Sequence, residues 1–465
     1  LEKILVVDKE KRVLDLVSFY DLVHTSDVRF KHIGVVGLGY VGLTLALTLA
    51  DLGFKVKGFD TNLGLIKNLQ KNKPHFYEDG LQELLEDHSG KNFRLVEDFK
   101  GANNCDIYFV AVGTPLDKKL QPNLKYLRLA ANNIGRVLKS GDAVILRSTV
   151  PVGTTRRVVV PALEKTSGLK AGDDFLVAFA PERTVEGKAL EELRHLPQVV
   201  GGINHASSDL VSNLFSLMTN SIVLVDSLES AEMVKLINNT YRDVTFGFAN
   251  EVALIAKRWG IDTKKMIEAA NYGYERSMVP QPSPGVGGYC LEKDPYIFIH
   301  SAKAQGYEPL LAKHARSVSE AVVDGIVKDT LSFLKNHKKG SRQAKILTLG
   351  IAFKGKPQTS DLRGSTALSV MKKLQSENFK NIHAYDPAVR KSEVLAQGVK
   401  YAVSPERGFR GADAVLVMNN NPAFEALKIR SLLKLAKNPV LLFDGWSLFN
   451  PEEISKAKNV LYRRL

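Results

Sequence analysis

The chain has 465 residues, 44% hydrophobic and 25% charged, which is the balance of a soluble globular protein and too long for one ordinary core, so two or three domains are expected. Its formal net charge of +14 suits anionic ligands such as nucleotides, but the basic residues are scattered, with only short clusters such as Lys338-Lys339 and Arg463-Arg464, which argues against a nucleic-acid partner. Cys105 and Cys290, far apart, exclude a disulfide framework and fit a reducing, cytoplasmic compartment; no apolar run reaches the roughly 20 residues that span a bilayer, Leu1-Glu2-Lys3 lead straight into a strand-like run and not a signal peptide, and no metal is expected.

Residues 4–23 read as strand, turn, strand and short helix, too small a piece to bury its own core. It resembles the end of a CBS-type regulatory repeat; an irregular arm packed on the main body is the alternative. His32 to Val36 is a buried-strand run, followed by Gly37-Leu38-Gly39-Tyr40-Val41-Gly42, a helical stretch over Leu43–Gly53, and a strand over Lys55–Phe59 that ends in Asp60. Strand, glycine loop, helix, strand and acid form the dinucleotide fingerprint in its required context. Gly37 makes the tight turn, Gly39 lets a pyrophosphate approach the backbone, Gly42 lets the helix pack, and the helix N-terminus stabilises the phosphate charge. Asp60 can bind both ribose hydroxyls and would repel a 2′-phosphate, which favours NAD over NADP. Apolar runs then recur, each ending in small or polar residues: Asp106–Val112 before Gly113-Thr114-Pro115, Ala143–Leu146 before Arg147-Ser148-Thr149, and Phe175–Ala180 before Pro181-Glu182-Arg183. In a parallel α/β sheet ligands lie at these carboxyl ends, so Thr114, Thr149 and Glu182 are expected in one crevice.

A long helical pattern runs from Ser230 to about Gly260 and places Lys235 and Asn239 on one face, directed either at a polar pocket or at solvent. A second helix covers Thr263–Ala270. The stretch Gly285-Val286-Gly287-Gly288-Tyr289-Cys290-Leu291-Glu292-Lys293-Asp294-Pro295 crowds three glycines against a cysteine, with a lysine and an aspartate within the next helical turn. A nearby lysine or a helix start would favour the thiolate; a tight glycine turn with a buried cysteine is the alternative. Residues 301–336 read as more helix. From Lys345 the α/β rhythm restarts: a strand to Leu349, Gly350-Ile351-Ala352-Phe353-Lys354-Gly355, a helix from about Ser365, and a strand Asn381–Tyr385 that ends in Asp386 as Lys55–Phe59 ends in Asp60. Gly411–Met418 echoes Asn103–Val110. The C-terminal third therefore reads as a second Rossmann-like half that has lost its glycine fingerprint.

Over residues 32–450 the sequence closely resembles the UDP-glucose/GDP-mannose dehydrogenase family, on GLGYVG at 37–42, GTP at 113–115, STVPVGT at 148–154, PER with Glu186-Gly187, Lys235 with Asn239, GVGGYCLEKDP at 285–295, and GIAFKG with Asp361-Leu362-Arg363. The resemblance implies an α/β fold of two Rossmann-like doubly wound domains with a central helical segment: an arm over 1–31, an NAD-binding domain over 32–228, a dimerisation segment with the cysteine loop over 229–336, and a nucleotide-sugar domain over 337–465. It also implies NAD-dependent, four-electron oxidation of a UDP-sugar C6 alcohol to the uronate by a homodimer with no membrane insertion. Cys290 is then the nucleophile that captures the C6 aldehyde. Lys235 and Asn239 stabilise the resulting oxyanion. Asp294 with Thr149 orients water, and Glu182 serves as acid/base during thioester hydrolysis. Arg183, Arg276, Gly285, Val286, Gly287, Gly288 and Lys354 match sugar-nucleotide contacts, as do Glu182, Lys235 and Asn239. Ser148, Thr149, Glu186 and Arg363 match positions near NAD, with Leu38, Tyr40, Val41 and Thr114.

Pro-Glu-Arg at 181–183, the Pro-Gly-Val-Gly-Gly run before Cys290 and the Arg276–Cys290 spacing favour UDP-N-acetylmannosamine or UDP-N-acetylglucosamine; Glu292-Lys293-Asp294 is shared with the glucose branch, so UDP-glucose is the runner-up. Trp446 stands where the family has an arginine, Leu65 where some members have one, and the loop from Lys354 to Arg363 is longer by about two residues than the family pattern. A two-electron β-hydroxyacid dehydrogenase shares the Rossmann start and the Lys-x-x-x-Asn helix but needs no cysteine. A non-enzymatic nucleotide-binding regulator would not need every catalytic position filled.

Overall fold

A computed structural model of the chain describes residues 3–7, 13–18, 26–96, 99–102, 104–337 and 342–465. The helix expected at the end of 4–23 and the Lys338-Lys339 pair lie outside these residues. Chain contacts divide the protein into two compact units, Leu1–Ile237 and Asn238–Leu465, so the central helices are counted with the C-terminal sheet.

In the first unit β1 (Lys3–Val7) and β2 (Val13–Ser18) form an antiparallel pair. The main sheet contains β3 (His32–Val36), β4 (Lys55–Phe59), β5 (Phe93–Val96), β6 (Ile107–Val110), β7 (Ala143–Leu146), β8 (Leu176–Phe179), β9 (Gln198–Gly202) and β10 (Ile222–Leu224). Its order is β10-β9-β8-β7-β6-β3-β4-β5, parallel except between β8 and β9. The chain winds outward from β3 through β4 and β5, then returns to β6, so the topological switch point lies between β3 and β6. Strands such as β6 (IYFV) and β7 (AVIL) are buried at every position, as a parallel sheet covered on both faces requires. Helix α1 (Tyr40–Asp51) begins at Tyr40 and not at Leu43, because Gly39 is already its N-cap.

The second sheet contains β11 (Ile346–Leu349), β12 (Ile382–Tyr385), β13 (Lys400–Tyr401), β14 (Ala414–Val417), β15 (Val440–Asp444) and β16 (Val460–Arg464). All its pairings are parallel, in the order β13-β12-β11-β14-β15-β16, with the switch point between β11 and β14. The main helices are α2 (Leu228–Trp259), which crosses the division between the units, α3 (Tyr289–Lys303), α4 (Leu310–His337) and α5 (Thr366–Ser376). Gly247 on α2 lets α4 come close: a Cβ there would stand 3.0 Å from the Cβ of Ala315. The single helical stretch expected over 301–336 is two helices. Gly306, at φ +76°, ends the turn after α3, and Pro309 precedes α4.

The two halves repeat each other down to single hydrogen bonds. Asp106 Oδ2 accepts the N–H of His32, the first residue of β3, and Asp413 Oδ2 accepts the N–H of Lys345, just ahead of β11. Gly37 donates to Phe59 O at 2.8 Å, and Gly350 to Tyr385 O at 2.9 Å. Asp60 accepts Leu38 N–H and Asn62 N–H; Asp386 accepts Ile351, Ala352 and Ala388 N–H. Gly350 (φ +80°) takes the place of Gly37, but Ala352 replaces the middle glycine and Gly355 lies in a turn against Asn421, with the next helix not starting until Thr366.

Candidate functional site

In the first unit the fingerprint glycines have distinct reasons. At Gly37 (φ +91°) a Cβ would lie 2.8 Å from Ala111 O, and at Gly42 it would lie 1.8 Å from the Gly37 carbonyl oxygen, so both are demanded by the protein itself. Gly42 thus serves the approach of the first helical turn to the loop. At Gly39 a Cβ would meet nothing within 4 Å. Gly39 is the N-cap of α1 with no side-chain capping bond, so helix N–H groups face open space that a phosphate can fill. The dinucleotide therefore fits these residues. Leu38 is fully buried, and its N–H donates to Asp60 Oδ2 at 2.8 Å, so the acid braces the loop.

At the carboxyl ends of β6 and β7 the polar residues are paired with backbone. Thr114 Oγ1 donates to Thr149 O at 2.6 Å, and Ser148 Oγ to Val112 O at 2.7 Å. Glu182 is buried and ion-paired with the fully enclosed Arg147, whose guanidinium also lies 5.2 Å over the Phe215 ring. Its other oxygen accepts the N–H groups of Arg183 and Thr184 at 2.7 and 2.8 Å. Burial alone would raise the Glu182 carboxyl, but Arg147, the Thr184 N–H and the nearby Lys235 outweigh it and hold it below the usual carboxylate range. An ionised Glu182 can accept a proton or orient water. Arg183 donates to Pro197 O. Glu186 lies in a loop fastened by Glu78, which accepts Gly187 N–H at 2.8 Å, Ala189 N–H at 2.6 Å and the Tyr40 hydroxyl. Burial, then Glu78 and Glu186, push the Tyr40 phenol well above its ordinary range, so it stays a neutral donor. On α2, Lys235 is buried one helical turn from Asn239, and Glu232 accepts Gly153 N–H, Thr155 N–H and Thr155 Oγ1.

In the second unit Cys290 is the second residue of α3 and is exposed, which removes the buried-thiol alternative; the buried cysteine is Cys105, pushed up to about 11 by burial. The glycine loop before it is pressed from two sides. A Cβ at Gly285 would stand 3.0 Å from Val323 on α4 and from Thr366 on α5, one at Gly287 2.6 Å from Gly364 O, and one at Gly288 2.7 Å from the Phe353 ring. Val286 N–H donates to Ser319 Oγ and Gly288 N–H to Gly364 O. This loop leads into the first turn of α3, which carries Cys290.

Asp294 is fully buried. Its two oxygens accept Lys293 Nζ at 2.7 Å and Asn239 Nδ2 at 2.6 Å. Burial disfavours the Lys293 charge, but Asp294 more than compensates, with Tyr289 and Cys290 adding to the attraction, so the lysine is held cationic. Arg363 forks onto Asp361 and lies 4.5 Å over the ring of Tyr289, beside the cysteine. Lys354 lies 5.3 Å over the Phe353 ring, whereas Arg276 is exposed against Tyr274. Trp446 donates from Nε1 to Met418 O, while a Cβ on Gly445 would touch Val417 O and Pro284. Trp446 thus ties the carboxyl end of β15 to that of β14. Leu65 lies in the Asn62-capped helix Leu63–Leu69, which follows the Asp60 strand.

Sequence reasoning passed over Glu78, Arg147, Glu232, Asp243 and Arg316. Each sits among other polar residues, so nothing local marks it as buried; only its partner in the fold does.

Three family models match the chain in order: the UDP-glucose/GDP-mannose dehydrogenase family NAD binding domain over residues 31–219, its central domain over 229–321, and its UDP binding domain over 347–451. The chain is 34% identical over 417 residues to UDP-N-acetyl-D-mannosamine dehydrogenase of Pyrococcus horikoshii, covering 89% of this chain and 94% of that protein. It is 31% identical over 416 residues to UDP-N-acetyl-D-glucosamine 6-dehydrogenase of Pseudomonas aeruginosa, covering 89% and 96%. A solved structure of the Pyrococcus horikoshii enzyme superposes with a TM-score of 0.84 at 30% identity, covering 93% of this chain and 98% of that one. A UDP-glucose dehydrogenase structure from Pyrobaculum islandicum gives 0.80 at 28% identity, covering 93% and 97%.

Proposed function

The chain belongs to the UDP-glucose/GDP-mannose dehydrogenase family and is an NAD-dependent nucleotide-sugar 6-dehydrogenase, and from that premise we propose that it converts UDP-N-acetylmannosamine or UDP-N-acetylglucosamine to the uronate through a covalent adduct on Cys290. The observation that carries the cysteine route is an exposed thiol in the first turn of α3, beside the cationic Lys293. NAD, when bound, accepts a hydride at each oxidation. An aldehyde is a poor hydride donor, so the thiolate adds to C6: the C–S bond forms and the carbonyl pair moves onto oxygen. Lys235 and Asn239 stabilise that oxyanion. Loss of hydride from C6 leaves a thioester. Water then attacks it, the C–S bond breaks and the thiolate departs; one proton leaves the attacking water, and a second is lost as the acid ionises to the uronate. Glu182, held ionised by Arg147, takes the first of these or orients the water, with Thr149; Asp294 fixes Lys293 and Asn239 in place.

The sugar preference is supported by the run before Cys290 and by the names of the relatives above; UDP-glucose is the second reading, favoured by Lys293. NADH absorbance across UDP-glucose, UDP-N-acetylglucosamine, UDP-N-acetylmannosamine, UDP-N-acetylgalactosamine and GDP-mannose tests both. The expected result is about two NADH per sugar on an N-acetylated substrate, and loss of uronate in Cys290→Ala. Uronate formation by that variant would sink the covalent route.

The homodimer we propose rests on α2, where Ile237, Tyr241, Phe248, Ile255 and Trp259 recur at four- and seven-residue intervals and are each at least half exposed. Such a stripe fits a second copy of the same helix, and sedimentation equilibrium checks it. A cytoplasmic location follows from the proposed reactive thiol and is tested by cell fractionation.

A further inference from the structure

Beyond the family motifs, one buried ion pair sits directly behind the cysteine. Asp243 lies on α2, one helical turn beyond Asn239, and is fully buried. Arg316 lies on α4 and is 6% exposed. Its Nη1 donates to Asp243 Oδ1 at 2.7 Å and to Leu291 O at 3.2 Å, and reaches Val286 O at 3.5 Å. Leu291 follows Cys290, and Val286 is in the glycine loop before it, so a single guanidinium end spans the backbone on both sides of the nucleophile. Ser319, one turn further along α4, accepts the Val286 N–H at 2.7 Å. On α2, Asn239 meanwhile holds Asp294 four residues beyond the cysteine.

The pair is a poor choice for stability alone. Asp243 Oδ2 and Arg316 Nε are buried with no hydrogen-bond partner among the described residues. Apolar residues of similar volume commonly replace such a pair at no cost. All three contacts run from one nitrogen, Nη1, so the hold on the backbone depends on where that atom is kept, and Asp243 keeps it there.

We propose that Arg316, held by Asp243, is a positioning residue that sets the first turn of α3 and so aims Cys290 at the sugar aldehyde. This rests on the reading of Cys290 as nucleophile. The first oxidation, alcohol to aldehyde, does not use the thiol; the second does. Loss of the clamp therefore falls on the second step.

The test compares wild type, Arg316→Lys and the double variant Arg316→Met/Asp243→Leu, which removes both charges and orphans neither. NADH per sugar, aldehyde trapped by hydroxylamine, both KM values and the rate of Cys290 carbamidomethylation by iodoacetamide are measured on the UDP-sugar that turns over best. The expected result is both KM values within about threefold, NADH per sugar falling from about two towards one with trapped aldehyde rising, and alkylation slower by about fivefold. Equal loss of both oxidations with unchanged alkylation, or wild-type behaviour throughout, overturns the proposal. Ser319→Ala keeps the ion pair and removes the Val286 anchor; it carries the same expectation in milder form if the double variant does not fold, and wild-type partitioning in it then counts against the clamp. Cys290→Ala, which leaves no nucleophile, separates the two readings. Uronate formed by Cys290→Ala refutes the nucleophile itself. Uronate lost there but normal in the Arg316 variants refutes only the clamp.

Discussion

Glu232 governs one part of the dependence of stability on pH. Burial raises its carboxyl from the ordinary 4.5 to about 7, against the pull of the Thr155 and Gly153 donors. Between those values the unfolded chain has lost the proton and the folded chain keeps it. Stability from this group is therefore full below the lower value and falls as pH rises towards 7, by on the order of 3 kcal/mol in all. Glu232→Gln cannot ionise, so the difference in unfolding free energy between variant and wild type should change between about pH 5 and about pH 8, with wild type losing ground at the higher value. Denaturant titrations at the two pH values check this, and parallel curves would refute it. Glu232 was illegible in the sequence, as were Arg147 and Arg316. Their partners lie 77, 35 and 73 residues away, and only the folded packing reveals the pairing. Cys290, Lys235 and Asn239 stand out in the sequence because of their local pattern: a glycine loop before a thiol, and one helical turn between two polar groups.

Among the elements, the two glycine loops respond differently to the same substitution. Gly39 has φ −65° and empty space at its Cβ position, so Gly39→Ala should leave unfolding free energy within about 1 kcal/mol of wild type while raising KM for NAD by about tenfold or more. Gly288, at φ +96° and ψ 144°, occupies a region essentially reserved for glycine, and a Cβ there would strike the Phe353 ring. Gly288→Ala should cost about 1–3 kcal/mol of stability and lower turnover by misaiming α3. Chemical denaturation paired with steady-state kinetics separates the two signatures; an unchanged KM for NAD in Gly39→Ala would contradict the assigned cradle. Element type was largely readable, since buried four-residue runs that end in small residues announce parallel strands. The boundary errors have local causes. The start of α1 was set late because a glycine N-cap carries no side-chain signal. The gap between α3 and α4 was passed over although Gly306 and Pro309 marked it.

For the molecule as a whole, the exposed stripe on α2 predicts association. Tyr241→Glu with Phe248→Glu places charge in the middle of it and should convert a dimer to monomers at micromolar concentration, read by sedimentation velocity. A wild-type chain that sediments as a monomer would overturn the premise. The repetition of one half in the other was legible as rhythm: an acid at the end of the second strand of each half, and the echo of Asn103–Val110 in Gly411–Met418. The depth of that echo was not, because a hydrogen bond from Leu38 or Ile351 to a distant carboxylate leaves no periodic trace.

Asp60 and Asp386 make the same backbone brace, yet the loop beside Asp386 has an alanine where Gly39 stands. The acid therefore outlasts the glycine it accompanies. If the halves descend from one duplicated ancestor, drift is restrained at the acid by folding and at the middle glycine only by the ligand. An aspartate at the end of the second strand then records lineage, and the residue two places after the first glycine records what each half still carries.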